Sequence, residues 1–342
     1  MVNQSRKKAP SQADVARLAG VSRPMVSYAL NNPSSVSIAD DTRQRIMEAV
    51  EALGYVPDRV AQSLRTRKTR TIAGIIPDIT NPFYPSLQRG IQDVARRHNY
   101  SVVTYNTDGT LDEERQCLEW IQQGLVDGMI GSLFHYNLEA MRPFVERGIA
   151  VVRMTVGPEV VDDLPIDCLY VDNFKAAYTA TNYLIGRQHT RIAMIAGQES
   201  PVREQRVQGY RAALLDHHLR LDEILVRGSD FTERGGYEAM SELLRLSPLP
   251  TAIFAANDLL AIGAMLAIRQ AGLIIPNDIA VVGLDDIPAA RLVTPALTTI
   301  NQFAGRLGQR AAQMIFERLA DPALGLARSE EMPFELIVRE SA

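Results

Sequence analysis

Over the first sixty residues apolar positions recur three and four apart. Beyond Thr71 they gather into short unbroken runs that alternate with amphipathic stretches. The first spacing is that of helices and the second that of buried strands between helices. Ser11, with Asp14 three residues on, reads as a capping-box variant. Val15 and Leu18 then share one face, and Gly20 ends this short helix. Ser22 is the N-cap of a second helix. Pro24 sits in its first turn, where a missing N–H costs little, and Val26, Ala29 and Leu30 form its apolar side. A third helix is expected from about Asp40 to Leu53, with Ile46, Val50 and Leu53 inward. Two short helices joined by a Gly-containing turn make a helix-turn-helix.

The segment Asp58 to Arg65 carries a small stripe of Val60, Ala61 and Leu64. Eight residues are too few for a helix that is stable alone in water. The segment reads either as a helix ordered by a partner or as a plain connector. From Thr71 the pattern becomes strand, helix, strand: Ile72–Ile76, a helix from about Phe83 to His98, Ser101–Tyr105, a helix over 112–123, Val126–Ile130, a helix near 138–147 and Ile149–Val152. It restarts with a helix from about Phe174 and runs through strands Arg191–Ala196, Ile224–Val226, Ala252–Ala255 and Ile279–Gly283. The fold class is therefore α/β, with a helical head on a body of two parallel-sheet halves that leave a crevice between them.

Ligands in such sheets bind at the carboxyl ends of the strands. The residues there are Pro77 to Tyr84, Asn106-Thr107-Asp108, Asn257-Asp258 and Asp285-Asp286, with Arg206 near the start of a helix. Carboxylates and amides bond hydroxyls, and aromatic faces cover the apolar side of a sugar or base. Plainer roles stay open: Asp258 as a helix cap, Asp285 as the partner of a core Arg, Phe83 as ordinary core.

Composition narrows the function. The chain has 342 residues, 46% of them hydrophobic, enough for two or three domains. No apolar run approaches the ~20 residues that span a bilayer. Basic residues near the N-terminus are not followed by the apolar stretch of a signal peptide. A cytoplasmic protein without a membrane partner is expected. Cys117 and Cys168 fit a reducing compartment and lack metal-ligand spacing, so no metal or cofactor is expected. Residues 1–70 carry 12 Lys and Arg against 6 Asp and Glu, whereas the remainder carries 24 against 34. A basic head on an acidic body suggests a nucleic-acid-binding module joined to something else. Arg23, Pro24, Ser27 and Tyr28 are the outward positions of the second helix, which could enter a major groove end-on. A three-helix domain with a polar outer face is the alternative. Enzyme signatures such as G-x-S-x-G, H-E-x-x-H, the P-loop and G-x-G-x-x-G are missing. Asp285-Asp286 is a poor acid/base pair because adjacent residues point apart. An enzyme is not expected. A solute-binding protein of the periplasmic type would suit the body but leave the basic head without a use.

The motifs Asp14-Val15-Ala16-Arg17-Leu18-Ala19-Gly20-Val21-Ser22, Leu53-Gly54-Tyr55-Val56-Pro57, Val60-Ala61-Gln62-Ser63-Leu64 and Pro77-Asp78-Ile79-Thr80-Asn81-Pro82-Phe83-Tyr84 resemble the lactose-repressor family of bacterial transcription regulators. The resemblance covers nearly the whole chain. It implies a helix-turn-helix domain over 1–57, a hinge helix and linker over 58–70, and a two-lobed, periplasmic-binding-protein-like effector and dimerisation body over 71–342. Lobe one would comprise about 71–166 and 302–331, and lobe two about 167–301 and 332–342. The implied contacts to a palindromic operator in double-stranded DNA are Ser22, Arg23, Pro24, Ser27, Tyr28 and Asn31, with Arg59, Ala61 and Leu64 from the hinge. Leu64 matches the leucine that wedges into the minor groove. The implied effector contacts are Phe83, Tyr84, Arg206, Phe231, Asn257 and Asp285. Two departures stand out. Tyr28 occupies a position where many members have Arg, and Ser37–Asp41 is longer and more acidic than usual. Thr155 stands near where many relatives place a sugar-binding Asp. The chain stops at Ala342 without a heptad repeat, so a homodimer is expected rather than a tetramer. The family reading is a repressor whose operator affinity answers to a small molecule, a sugar or sugar derivative, in the interlobe cleft.

Overall fold

The computed structural model describes residues 10–31, 37–56, 63, 66, 68–159, 161, 163–321 and 324–342. Two compact units divide between Thr69 and Arg70.

Among the described residues the N-terminal unit holds helices α1 (Gln12–Ala19), α2 (Arg23–Asn31) and α3 (Asp40–Leu53). The capping box forms as the spacing requires: Ser11 accepts from Asp14 N–H, and the Asp14 carboxylate accepts from Ser11 N–H at 2.9 Å. Gly20 ends α1 at φ 69°, in the left-handed region glycine adopts without cost. Val15, Val26 and Ile46, one from each helix, are fully buried in its core. Arg43 of α3 donates to the Ala29 carbonyl near the end of α2 at 3.0 Å. Two readings are corrected. The inner face of α1 centres on Val15, Ala16 and Ala19, which turns Leu18 outward at 57% exposure. Ser27 sits one step of about 100° round the axis from Val26 and is buried rather than outward.

The second unit contains two six-stranded sheets. The first uses β1 (Thr71–Ile76), β2 (Ser101–Asn106), β3 (Gly128–Gly131), β4 (Ala150–Thr155), β5 (Asp167–Val171) and β11 (Ser329–Met332), in the spatial order β11-β5-β4-β3-β1-β2. Every pairing in it is parallel. Helices α4 (Phe83–Arg97), α5 (Leu111–Gln122), α6 (Arg142–Glu146) and α11 (Ala304–Ala320) cover its faces. The second sheet uses β6 (Ile192–Ala196), β7 (Val226–Gly228), β8 (Ala252–Ala255), β9 (Ala280–Asp285), β10 (Thr298–Asn301) and β12 (Glu335–Ile337), in the order β12-β10-β9-β8-β6-β7. Only β12 runs antiparallel. Its helices are α7 (Asn173–Gly186), α8 (Pro201–Asp216), α9 (Glu233–Leu243) and α10 (Asp258–Gln270). Central strands such as β1, β6, β8 and β9 read as near-continuous apolar runs because helices bury both faces.

The chain passes between the lobes three times, after β5, after β10 and after β11. The first crossing therefore falls after Val171, not at 166, and the last after Met332. Strand β5 belongs to lobe one because its first residue, Asp167, is held there by Arg318 of α11 at 2.6 Å and by Arg328 at 2.5 Å.

Candidate ligand cleft and nucleic-acid interface

In each sheet the strand order reverses beside its first strand, between β1 and β3 and between β6 and β8. Such switch points open a crevice at the strands' carboxyl ends. Pro77 follows β1, Ser132 follows β3, Gln198 lies just beyond β6, and Asn257 just beyond β8. All four line one cavity of about 360 Å³ between the lobes, within the range of small-molecule sites. Phe83, Tyr84, Arg206, Phe231, Asn257 and Asp285 all line it too. It also takes in Phe134, Tyr170, Asn173 and Gln302, which the sequence reading did not single out.

Lobe two supplies the buried charges. Arg206 is 6% exposed on α8. Its Nε donates to Asn173 Oδ1 at 2.8 Å and its Nη1 to the Ala256 carbonyl. Among the described residues no carboxylate comes within ion-pair distance of it. Burial lowers its pKa, an effect that nearby Asp285 only partly opposes. Asp285, 8% exposed, accepts from Gln302 Nε2 at 2.7 Å. Burial pushes its carboxyl up to about 7, with Arg206 and Gln302 opposing the rise. Its backbone lies at φ 126°, and that of Asp286 at φ 55°, regions a non-glycine residue enters at a cost. The two side chains part company: Asp286 pairs with Arg339 at 2.5 Å.

Asn257 does two jobs. It caps α10 by accepting from Leu260 N–H at 2.9 Å, and its amide donates to the Phe231 carbonyl at 3.2 Å. Phe231 in turn lies so close over Gly197 that a Cβ there would stand 1.9 Å from the ring. Only glycine fits, which places the ring at the cleft wall. Asp258 is fully buried behind this layer. It accepts from Thr299 Oγ1 at 2.5 Å and from Ile287 N–H at 2.9 Å. Burial, then the nearby Asp285, push it up to about 8.

Lobe one supplies aromatic surface. Phe83 and Tyr84 meet edge to face at the start of α4, ring centroids 5.2 Å apart. Burial, then Asp285 across the cleft, raise the Tyr84 phenol. Asp78 and Asp108 also face the cavity. Asp78 is tied to Thr80 at 2.6 Å, and Asp108 accepts from the Asn106 amide at 2.5 Å. Met154 and Thr155 close the side reached by β4.

In the N-terminal unit Ser22, just before α2, and Arg23, Pro24 and Tyr28 of α2 are exposed. Ser27 is not among them. Asn31 ends α2, and its side chain lies outside the described residues, as do Arg59, Ala61 and Leu64.

The chain matches two families by sequence. Residues 13–58 match the bacterial regulatory proteins of the lacI family, and residues 181–342 match the periplasmic binding protein-like domain. It is 37% identical to the ribose operon repressor of Escherichia coli (strain K12), over 96% of this chain and 98% of that one. Among solved structures it is similar to the complex of the transcriptional regulator CelR with cellobiose. That likeness has a TM-score of 0.72 and 31% identity, over 97% of this chain and all of the other. It is also similar to the lac repressor dimer bound to operator and the anti-inducer ONPF, with a TM-score of 0.83 and 26% identity, over 98% and 99% of the two chains. The capped helix-turn-helix, the two sheets crossed three times and these relatives of equal length lead to one assignment: the chain belongs to the lacI family of bacterial regulatory proteins.

Proposed function

We propose that this protein is a cytoplasmic, homodimeric transcriptional repressor whose hold on a palindromic DNA operator is set by an uncharged sugar or nucleoside in the interlobe cleft. The observation that carries the reading is the cleft itself. One chain joins a helix-turn-helix to a cavity where a buried guanidinium and a buried carboxyl, Arg206 and Asp285, lack each other as ion-pair partners. Such groups suit a ligand with hydroxyls, which donate to one and accept from the other. Asp78, Asp108, Asp230 and Asp285 face the cavity against one cation, Arg206, a balance that disfavours phosphorylated sugars. Phe83, Tyr84 and Phe231 offer rings to the apolar face of a sugar or base. The site has the character of binding rather than catalysis.

On DNA, Arg23, Pro24 and Tyr28 of α2 read the major groove, with Ser22 and Asn31 beside them. Arg59, Ala61 and Leu64 form the hinge in the minor groove, where Leu64 wedges a central base step. Two heads must sit at a fixed spacing to reach two half-sites. Ligand occupancy alters the lobe angle and with it the ordering of the hinge. A coupling of ~1–3 kcal/mol would change operator affinity 5–150-fold.

Selection from a random DNA pool at about 0.15 M salt tests the reading. A recovered palindrome, weakened or strengthened by one of D-ribose, cellobiose, adenosine or cytidine, is expected. Recovery of non-specific DNA alone, both without and with these compounds, overturns it.

A further inference from the structure

The lobe-one loop after β3 stands between two cavities. On one side is the cleft, which Ser132 and Phe134 line. Adjoining it, and sharing Ser132 and Phe134 with it, is a second cavity of about 440 Å³, lined by residues 132–137 with Arg153 and Glu159. The loop packs Leu133 and Tyr136 against the lobe-one core. Its backbone is also gripped by two buried charges. Glu114 of α5 is fully buried. One of its oxygens accepts from Phe134 N–H at 2.6 Å and the other from His135 N–H at 3.0 Å. Arg153 of β4 is 6% exposed. Its Nη1 donates to the Tyr136 carbonyl at 2.9 Å and its Nη2 to the Leu133 carbonyl at 2.7 Å. Four successive residues, 133 to 136, thus each give one backbone group to a buried ion.

The two ions do not pair with each other. Each spends its charge on neutral backbone dipoles, a charge-assisted bond roughly twice as strong as a neutral one, and the His135 imidazole Nδ1 also lies 3.4 Å from Glu114. Burying an ion for this purpose is costly, and an amide or hydroxyl could serve a loop with no geometric demand on it. We propose that Glu114 and Arg153 are positioning residues for the ligand cleft, clamping the loop so that Phe134 is held as a fixed aromatic wall. Phe134 is the loop's aromatic residue at the cleft. A Cβ on Gly109 would lie 3.6 Å from its ring and equally 3.6 Å from the Gln198 amide of lobe two. The ring therefore stands where the lobes meet, and its position bears on both fit and closure. The proposal rests on the cleft being the ligand site.

The test is amide hydrogen exchange of the full chain, with calorimetric titration of D-ribose, cellobiose, adenosine and cytidine alongside. In Glu114→Gln, which keeps shape but offers one acceptor, exchange at Phe134 and His135 is expected to rise at least about tenfold. Strands β1 and β3 should keep their protection. Any of the four compounds that binds the parent should bind about tenfold more weakly. Arg153→Lys, which lacks the fork that spans both carbonyls, should fall between the two and decides the matter if Glu114→Gln does not fold. Unchanged exchange at 134–135, or a loosened loop with parental affinity, overturns the proposal. Exchange that rises equally in β1 and β3 also overturns it, since the residues would then be stabilising the lobe at large. If none of the four binds the parent, the reading of the cleft as their site fails, and the exchange arm alone decides the clamp.

Discussion

The two lobes each bury a carboxylate at a strand end, and they treat it in opposite ways. In lobe one Asp167 is surrounded by Arg318 and Arg328 at 2.6 and 2.5 Å and accepts Arg328 N–H at 3.0 Å. Burial would push its pKa up, but hydrogen bonds from Arg328 and Arg318 outweigh burial and hold it below the usual range. In lobe two Asp285 has Gln302 for a direct partner and Arg206 only as a neighbour, and burial wins. A buried charge whose partners come from within the chain is part of the scaffold. A buried charge short of partners beside a cavity is unfinished, and a ligand can finish it.

The contrast can be broken most severely at Asp167. Asp167→Asn takes the carboxylate from the buried Arg318, while Arg328 keeps Glu317, and should cost about 3–5 kcal/mol in urea unfolding; a loss below 1 kcal/mol would mean that lobe one does not depend on this pair. Next comes Arg206→Ala, expected to weaken ligand binding about 100-fold, some 2.7 kcal/mol. Arg206→Lys should restore little, because a lysine lacks the planar fork. Parental affinity in Arg206→Ala would mean that the unfinished charge is not there for the ligand.

A smaller effect lies in pH. The folded pKa values of Asp285 and Asp258 are raised to about 7 and 8, against roughly 3.9 for an unfolded Asp. Between those limits the native state holds more protons than the unfolded one, so stability falls as pH rises. Asp285→Asn should therefore gain thermal stability over the parent as pH goes from 5 to 8, and Asp167→Asn should not. A difference that stays constant with pH would refute the assignment. At the bottom of the scale is the exposed Arg142–Glu139 pair on lobe one. Glu139→Gln should leave the melting temperature unchanged within error, since solvent screens such pairs.

How much of this was legible beforehand follows from distance along the chain. The bounds of α3 could be read from local apolar spacing and from Gly54, which ends it at φ 59°. The cap at Ser11 is equally local. Strand β5 was missed because what holds it lies 151 and 161 residues away, in Arg318 and Arg328. Asn173 and Gln302 were missed for the same reason: their partners Arg206 and Asp285 are 33 and 17 positions distant. Arg206 and Asp285 could be named in advance as strand-end polar residues, but the resemblance had to supply their role. Of the plainer roles, two fail: Asn257, not Asp258, caps the helix, and Asp285 stands near Arg206 without pairing with it. Phe83 does pack against the lobe-one core. Leu18 and Ser27 went astray at the shoulders of their helices, where a period of 3.6 residues does not decide burial.

The three crossings carry a consequence for synthesis. Lobe one cannot complete its sheet until Ser329–Met332 are made, and lobe two must wait for Glu335–Ile337. On the ribosome the three N-terminal helices are made first, but each lobe stays open-edged until its last strand, β11 or β12, has followed. Their edges then face the crowded cell longer than those of two domains laid end to end. A chain cut before Ser329 would leave both lobes without their last strand, while the three N-terminal helices were already complete.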